Sequence, residues 1–90
     1  MSKAIIDPGE VRRFALELKR FNEFLQQQGT VINARMNELG QSWRDQEHLK
    51  FAEEFDLTLK QLSRFTTATE KHIPFLIRKA EKIEEYLNQR

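Results

Sequence analysis

The chain contains no cysteine, so it forms no disulfide and offers no thiolate to a metal or a substrate. It has only three glycines and two prolines in 90 residues. That leaves few places for the backbone to break, and no glycine-rich phosphate loop. No apolar run approaches the roughly 18–20 residues that a membrane span needs. The apolar core of Met1–Asp7 is too short for a cleaved signal peptide, so a cytoplasmic location, or secretion without such a peptide, is expected. A charge of one sign is also missing. The formal net charge is +1, and the basic doublets Arg12-Arg13 and Lys19-Arg20 are followed by Glu17 and Glu23. Neither nucleic-acid binding nor membrane insertion is therefore expected. His48 and His72 stand alone, without a His-Glu-x-x-His or Glu-x-x-His pattern. The sequence predicts no catalytic residue, no metal and no cofactor, and a two-helix chain has no concave pocket of its own.

What is present are helix formers. Leu, Glu, Gln, Lys and Arg dominate, and 32% of the residues are charged. Asp7 reads as an N-cap, Pro8 as the first helical residue, and Glu10 as the third. Ile6 and Val11 occupy staple positions. From there Val11, Phe14, Leu18, Phe21, Leu25, Ile32 and Leu39 recur with heptad spacing and predict a first helix over about 8–39. Gly40 reads as a left-handed C′ residue. Ser42 reads as the next N-cap, with Trp43 opening the second helix and Asp45 closing the box. Phe55, Leu59, Leu62, Thr66, Thr69, Ile73, Leu76, Ala80, Ile83 and Leu87 then predict a helix over about 43–88, kinked near Pro74. So short a connection returns the chain antiparallel to itself. The expected fold is all-α: residues 1–90 form a single helical hairpin domain.

Two features predict a partner. Measured from Trp43, a stretch of the second helix as long as the first ends near Pro74, which leaves residues 75–90 unpaired with Leu76, Ile83, Tyr86 and Leu87 among them. Phe24, Val31, Phe51, Phe65 and Tyr86 also widen the apolar face beyond what a two-helix seam uses. The expected assembly is a dimer of hairpins forming a four-helix bundle. The competing arrangement breaks at Pro74 and folds the C-terminal segment back as a third helix of a monomer. The dimer interface is expected at Phe24, Val31, Phe51, Phe65, Leu76, Ile83, Tyr86 and Leu87.

Several of these residues carry a resemblance. Ile5 with the Asp7-Pro8 start, the Leu39-to-Trp43 spacing, Phe51 and Phe55 after the Trp, and Tyr86 near the end look like the WXG-motif helical hairpins. Those are small bacterial proteins exported by type VII secretion. The resemblance covers nearly the whole chain. It implies a non-enzymatic protein-interaction module acting as a homodimer, or as a heterodimer with a paralogue. It also implies a role for the turn Trp, beyond packing, in a surface recognised by a secretion ATPase. Two positions depart from the family pattern. Trp43-Arg44-Asp45 stands where the family has Trp-x-Gly, and Arg90 stands where the C-terminal export signal has an acid after Tyr86. These departures point to the alternative function, a cytoplasmic orphan hairpin with a structural or chaperone-like role.

Overall fold

A computed structural model of the chain describes residues 6–88. Ile5 and Arg90, used in the resemblance, lie outside them. Two α-helices, α1 (Pro8–Leu39) and α2 (Gln46–Asn88), run antiparallel and account for nearly all described residues. The molecule is a rod of 69 × 25 × 17 Å. Its radius of gyration of 20.3 Å far exceeds the ~12 Å of a compact domain of this length.

α1 starts as its sequence predicts. The Asp7 side chain accepts a hydrogen bond from the Gly9 N–H at 2.8 Å, and its carbonyl accepts from Glu10 and Val11. Proline occupies the first turn. The other end differs from expectation. Gly40 has φ −64° and ψ −14°, an ordinary right-handed conformation, so it is not a left-handed cap. The helix unwinds gradually instead: the N–H groups of Gly40, Gln41, Ser42 and Trp43 donate to Met36, Glu38 and twice to Leu39. Ser42 is consumed by this fraying turn, its hydroxyl donating to the Leu39 carbonyl, and it is not an N-cap. The cap of α2 is Asp45, which accepts from the His48 N–H at 2.9 Å. The connection is therefore residues 40–45, and α2 begins at Gln46 and not at Trp43.

This longer connection overturns the overhang expected after Pro74. The connection and the first turns of α2 fill the closed end, which moves every later residue of α2 back along α1. Gly29 faces Leu62, Asn22 bonds to Thr69, and Arg12 pairs with Glu84. α2 thus lies against α1 as far as Glu84, and Leu76 and Ile83 are half-buried in the hairpin's own seam. Among the described residues no third helix folds back: α2 continues unbroken through the exposed Pro74. Ile73, Leu76, Ala80 and Ile83 keep the seam in phase on both sides of it.

The α2 seam is the one the sequence predicts from Phe55 to Ile83, with Leu87 exposed beyond it, but the α1 seam is rotated. Its inward residues are Val11, Ala15, Leu18, Asn22, Leu25, Gly29 and Met36. Ala15, Asn22, Thr66 and Ala80 are the fully buried residues, so the helices meet through small side chains. Phe14, Phe21, Ile32 and Leu39, expected inside, are exposed. Small residues let the two backbones approach. The bulky ones are left on a flank.

Candidate protein-interaction site

The turn is an aromatic cluster. Trp43 is half-buried, with its ring 5.0 Å from that of His48 and 6.1 Å from that of Phe51, and Phe51 stacks on Phe55 at 5.7 Å. At Gly40 the constraint on a side chain is contact and not dihedral. A Cβ there would stand 3.1 Å from the His48 Cε1 and 3.3 Å from its Nε2. Of the four turn residues read from the sequence, Gly40, Trp43 and Asp45 converge on His48, whereas Ser42 only bonds backward to α1.

Along the rod the two broad faces differ. One is polar. Arg12 donates to both Glu84 carboxylate oxygens, at 2.7 and 3.0 Å, and Gln26 donates to Glu70 at 3.0 Å. The bidentate bond holds the Glu84 carboxyl below its usual range and pushes the Arg12 guanidinium up. A groove of ≈480 Å³ opens on this face beside Gly29, lined by Leu25, Leu59 and Leu62 as well as by Gln26, Thr30, Asn33, Asp56, Lys60, Ser63 and Thr66. The hairpin thus has a concavity that the sequence reading did not expect, although it gathers no nucleophile–base pair.

The other face is aromatic. Phe14 and Phe21 are one heptad apart on α1, and Phe51, Phe65 and Tyr86 are whole heptads apart on α2, so each set forms a single row. The rows lie on the same side of the hairpin, since the Phe21 and Phe65 rings meet edge-to-face across it at 6.4 Å. Phe24, Val31 and Phe75 stand further round as a rim. All eight are exposed; Phe24 is 57% exposed and Tyr86 68%. Of the expected interface residues, Phe24, Val31, Phe51, Phe65 and Tyr86 therefore belong to this face or its rim. Leu87 is exposed just past the end of α1's cover, and Leu76 and Ile83 belong to the seam. Phe14, Phe21 and Phe75 share this face but are not among the expected interface residues. The first two carry the same heptad signal as a core residue, and only their phase relative to Ala15 and Asn22 separates the two roles.

Beneath the aromatic face sits a buried polar layer. Asn22 is 2% exposed, and its Oδ1 accepts from the Thr69 hydroxyl at 2.9 Å. Its Nδ2 has no protein partner. Thr66 and Thr69 also bond to carbonyls of the preceding turn, as their helical context predicts.

Fold and surface together define a class: an antiparallel helical hairpin with small residues inside and one aromatic broad face. No protein-family model and no curated protein matches the sequence. The chain is similar along its whole length to a solved structure, a mutant of the secreted protein EsxB from Bacillus anthracis strain Sterne. The TM-score is 0.76 at 23% identity, covering 100% of this chain and 99% of that one. The fold is thus that of an EsxB-like hairpin. Among the described residues no helix is long and apolar enough to cross a membrane.

Proposed function

We propose that the chain is a non-enzymatic protein-interaction module of the WXG type, exported by type VII secretion, that works as a homodimer joined through its aromatic face. Exposed area carries the reading. The hairpin presents 7679 Å² to solvent, whereas a compact monomer of its mass presents about 5,500 Å². The excess, about 2,000 Å² per chain, is of the order that an obligate partner covers. Large apolar side chains exposed on one side of the hairpin, with Phe21 and Phe65 in contact across it, mark an interaction surface. Stacking two hairpins face to face completes a four-helix bundle, in which Phe21 and Phe65 sit near the centre. The secreted nature of EsxB supports the export half of the reading.

Light scattering behind size exclusion tests the dimer: the wild-type chain elutes as a dimer at micromolar concentration, and Phe21→Glu with Phe65→Glu gives a helical monomer. A wild-type monomer sinks the homodimer, and a complex formed only after a paralogue is added converts it to a heterodimer. Export is tested separately, by the protein's appearance in culture supernatant and its loss when the secretion ATPase is deleted. One observation favours the orphan cytoplasmic reading. Asp45, which stands where the family motif has Gly, caps α2 and so has a role in folding. Continued retention in cells that possess the ATPase would establish that reading.

A further inference from the structure

Gly29 stands in the middle of α1, and the packing of the hairpin does not require it. A Cβ there would meet only the Leu62 Cδ2, at 3.9 Å, which is ordinary van der Waals contact. None of the described glycines has a positive φ. A helix interior is nonetheless less stable with Gly than with Ala. What the missing side chain does is leave room in the ≈480 Å³ groove of the polar face, whose floor is Leu25, Leu59 and Leu62.

The walls of this groove have two properties. The first is an open rung. Arg12 bonds to Glu84 across the polar face, and Gln26 bonds to Glu70. One heptad on from Gln26 and one heptad back from Glu70 stand Asn33 and Ser63, on opposite walls of the groove. Both are exposed, and their side chains bond to no other described residue. The second property is a lack of charge. Residues 26–34 include no charged side chain, in a chain that is 32% charged. Of residues 61–69 only Arg64 is charged, and it lies midway between the seam positions Leu62 and Thr66, which turns it away from α1. The two charges in the lining, Asp56 and Lys60, pair with each other at 3.0 Å. Depletion of charge marks the centre of a protein interface.

We propose that the groove binds an extended, uncharged segment of another protein, with one aliphatic side chain of that segment seated over Gly29. Each feature selects one part of this occupant. The leucine floor takes the aliphatic side chain. Asn33 and Ser63 each offer a donor and an acceptor, which suits the unpaired N–H and C=O groups of an extended backbone. A helix satisfies its own backbone groups and has no use for them. A second copy of this chain is therefore a poor occupant, because nearly all its described residues are helical. A free small molecule is a poor one too. The groove is open-sided and cannot enclose the roughly 70–90% of a ligand's surface that a pocket covers. The groove lies on the face opposite Phe21 and Phe65, so this contact is independent of the aromatic-face dimer.

Acetyl-leucine-N-methylamide, the smallest uncharged piece of such a segment, tests this when titrated at millimolar concentration into the isotope-labelled full chain. The expected result is saturable amide shifts confined to residues around Gly29, Asn33 and Ser63. Acetyl-glycine-N-methylamide, which lacks the side chain, gives none. Gly29→Leu fills the notch and abolishes the response, and Asn33→Ala with Ser63→Ala abolishes it with the floor intact. Gly29→Ala raises Tm by about 4–8 °C at fixed protein concentration, since the hairpin gains a better helix former and loses no contact. Circular dichroism confirms that the variants remain helical, and a Gly29→Leu chain that unfolds leaves the decision to the Asn33, Ser63 pair. Shifts that are absent, fail to saturate, spread to Phe21 and Phe65, are matched by the glycine probe or survive in a folded variant overturn the proposal. A fall in Tm for Gly29→Ala overturns it too, by making the glycine a packing residue. The dimer reading is judged separately, by mass.

Discussion

At the scale of single residues, the turn shows how a correct motif can hide a wrong assignment. Gly40, Ser42, Trp43 and Asp45 all take part in the reversal, but Asp45 and not Ser42 begins α2. Both residue types cap helices well. The sequence could not choose between them, because the choice depends on how far α1 unwinds. Asp45→Ala is expected to cost about 1 kcal/mol, or roughly 4–8 °C in Tm. Ser42→Ala should leave thermal melting nearly unchanged, and an equal loss from both variants would contradict the assigned cap. Gly40 carries a second expectation. A Cβ there would press on the His48 ring, which must shift by a few tenths of an ångström to admit it. Gly40→Ala should destabilise the hairpin, and the effect should largely vanish in a His48→Ala background. A double-mutant cycle reads this as a coupling energy of about 0.5–3 kcal/mol.

At the scale of the helices, legibility followed side-chain size. The α2 seam was legible because Phe55, Leu59, Leu62, Ile73, Leu76 and Ile83 carry a strong periodic signal that the structure obeys. The α1 seam was not. Ala15, Asn22 and Gly29 carry no hydrophobic signal, and Phe14 and Phe21 one position away carry a strong one. Burial follows what the facing helix leaves room for, and the sequence records only what each side chain prefers. The span of pairing was misjudged for a related reason. Residues 40–45 displace α2 along α1, which brings Glu84 opposite Arg12. That ion pair has a pH signature. The folded-state pKa of Glu84 is depressed by its bond to Arg12. Its contribution is therefore complete above the unfolded carboxyl pKa and lost as pH falls through the folded one. Urea denaturation on stepping down through the acid range should show a fall in stability that Glu84→Gln lacks. The effect is small, because both side chains remain about 40% exposed, at 41% and 38%. Pro74→Ala, by restoring a donor to the Glu70 carbonyl within an unbroken helix, should raise the melting temperature of α2.

At the scale of the whole molecule, the hairpin is an incomplete solution to its own burial problem. Its interior is built from Ala15, Asn22, Thr66 and Ala80, and most of its large apolar side chains are outside. Phe21 and Phe65 are each 47% exposed, so covering them in a partner interface is worth about 1 kcal/mol for each ring. The melting temperature of the wild type should therefore rise with protein concentration, and that of the Phe21→Glu, Phe65→Glu variant should not. A concentration-independent wild-type melt would argue that the aromatic face stays bare. Size also determines what an optical experiment sees. The chain has one tryptophan, and Trp43 packs on His48 and Phe51 at one tip of a 69 Å rod. Its emission is a gauge of the closed end alone. Fraying at the Arg12–Glu84 end would pass unseen by fluorescence while ellipticity falls. The gap between the two signals measures how far the molecule unzips before its turn lets go.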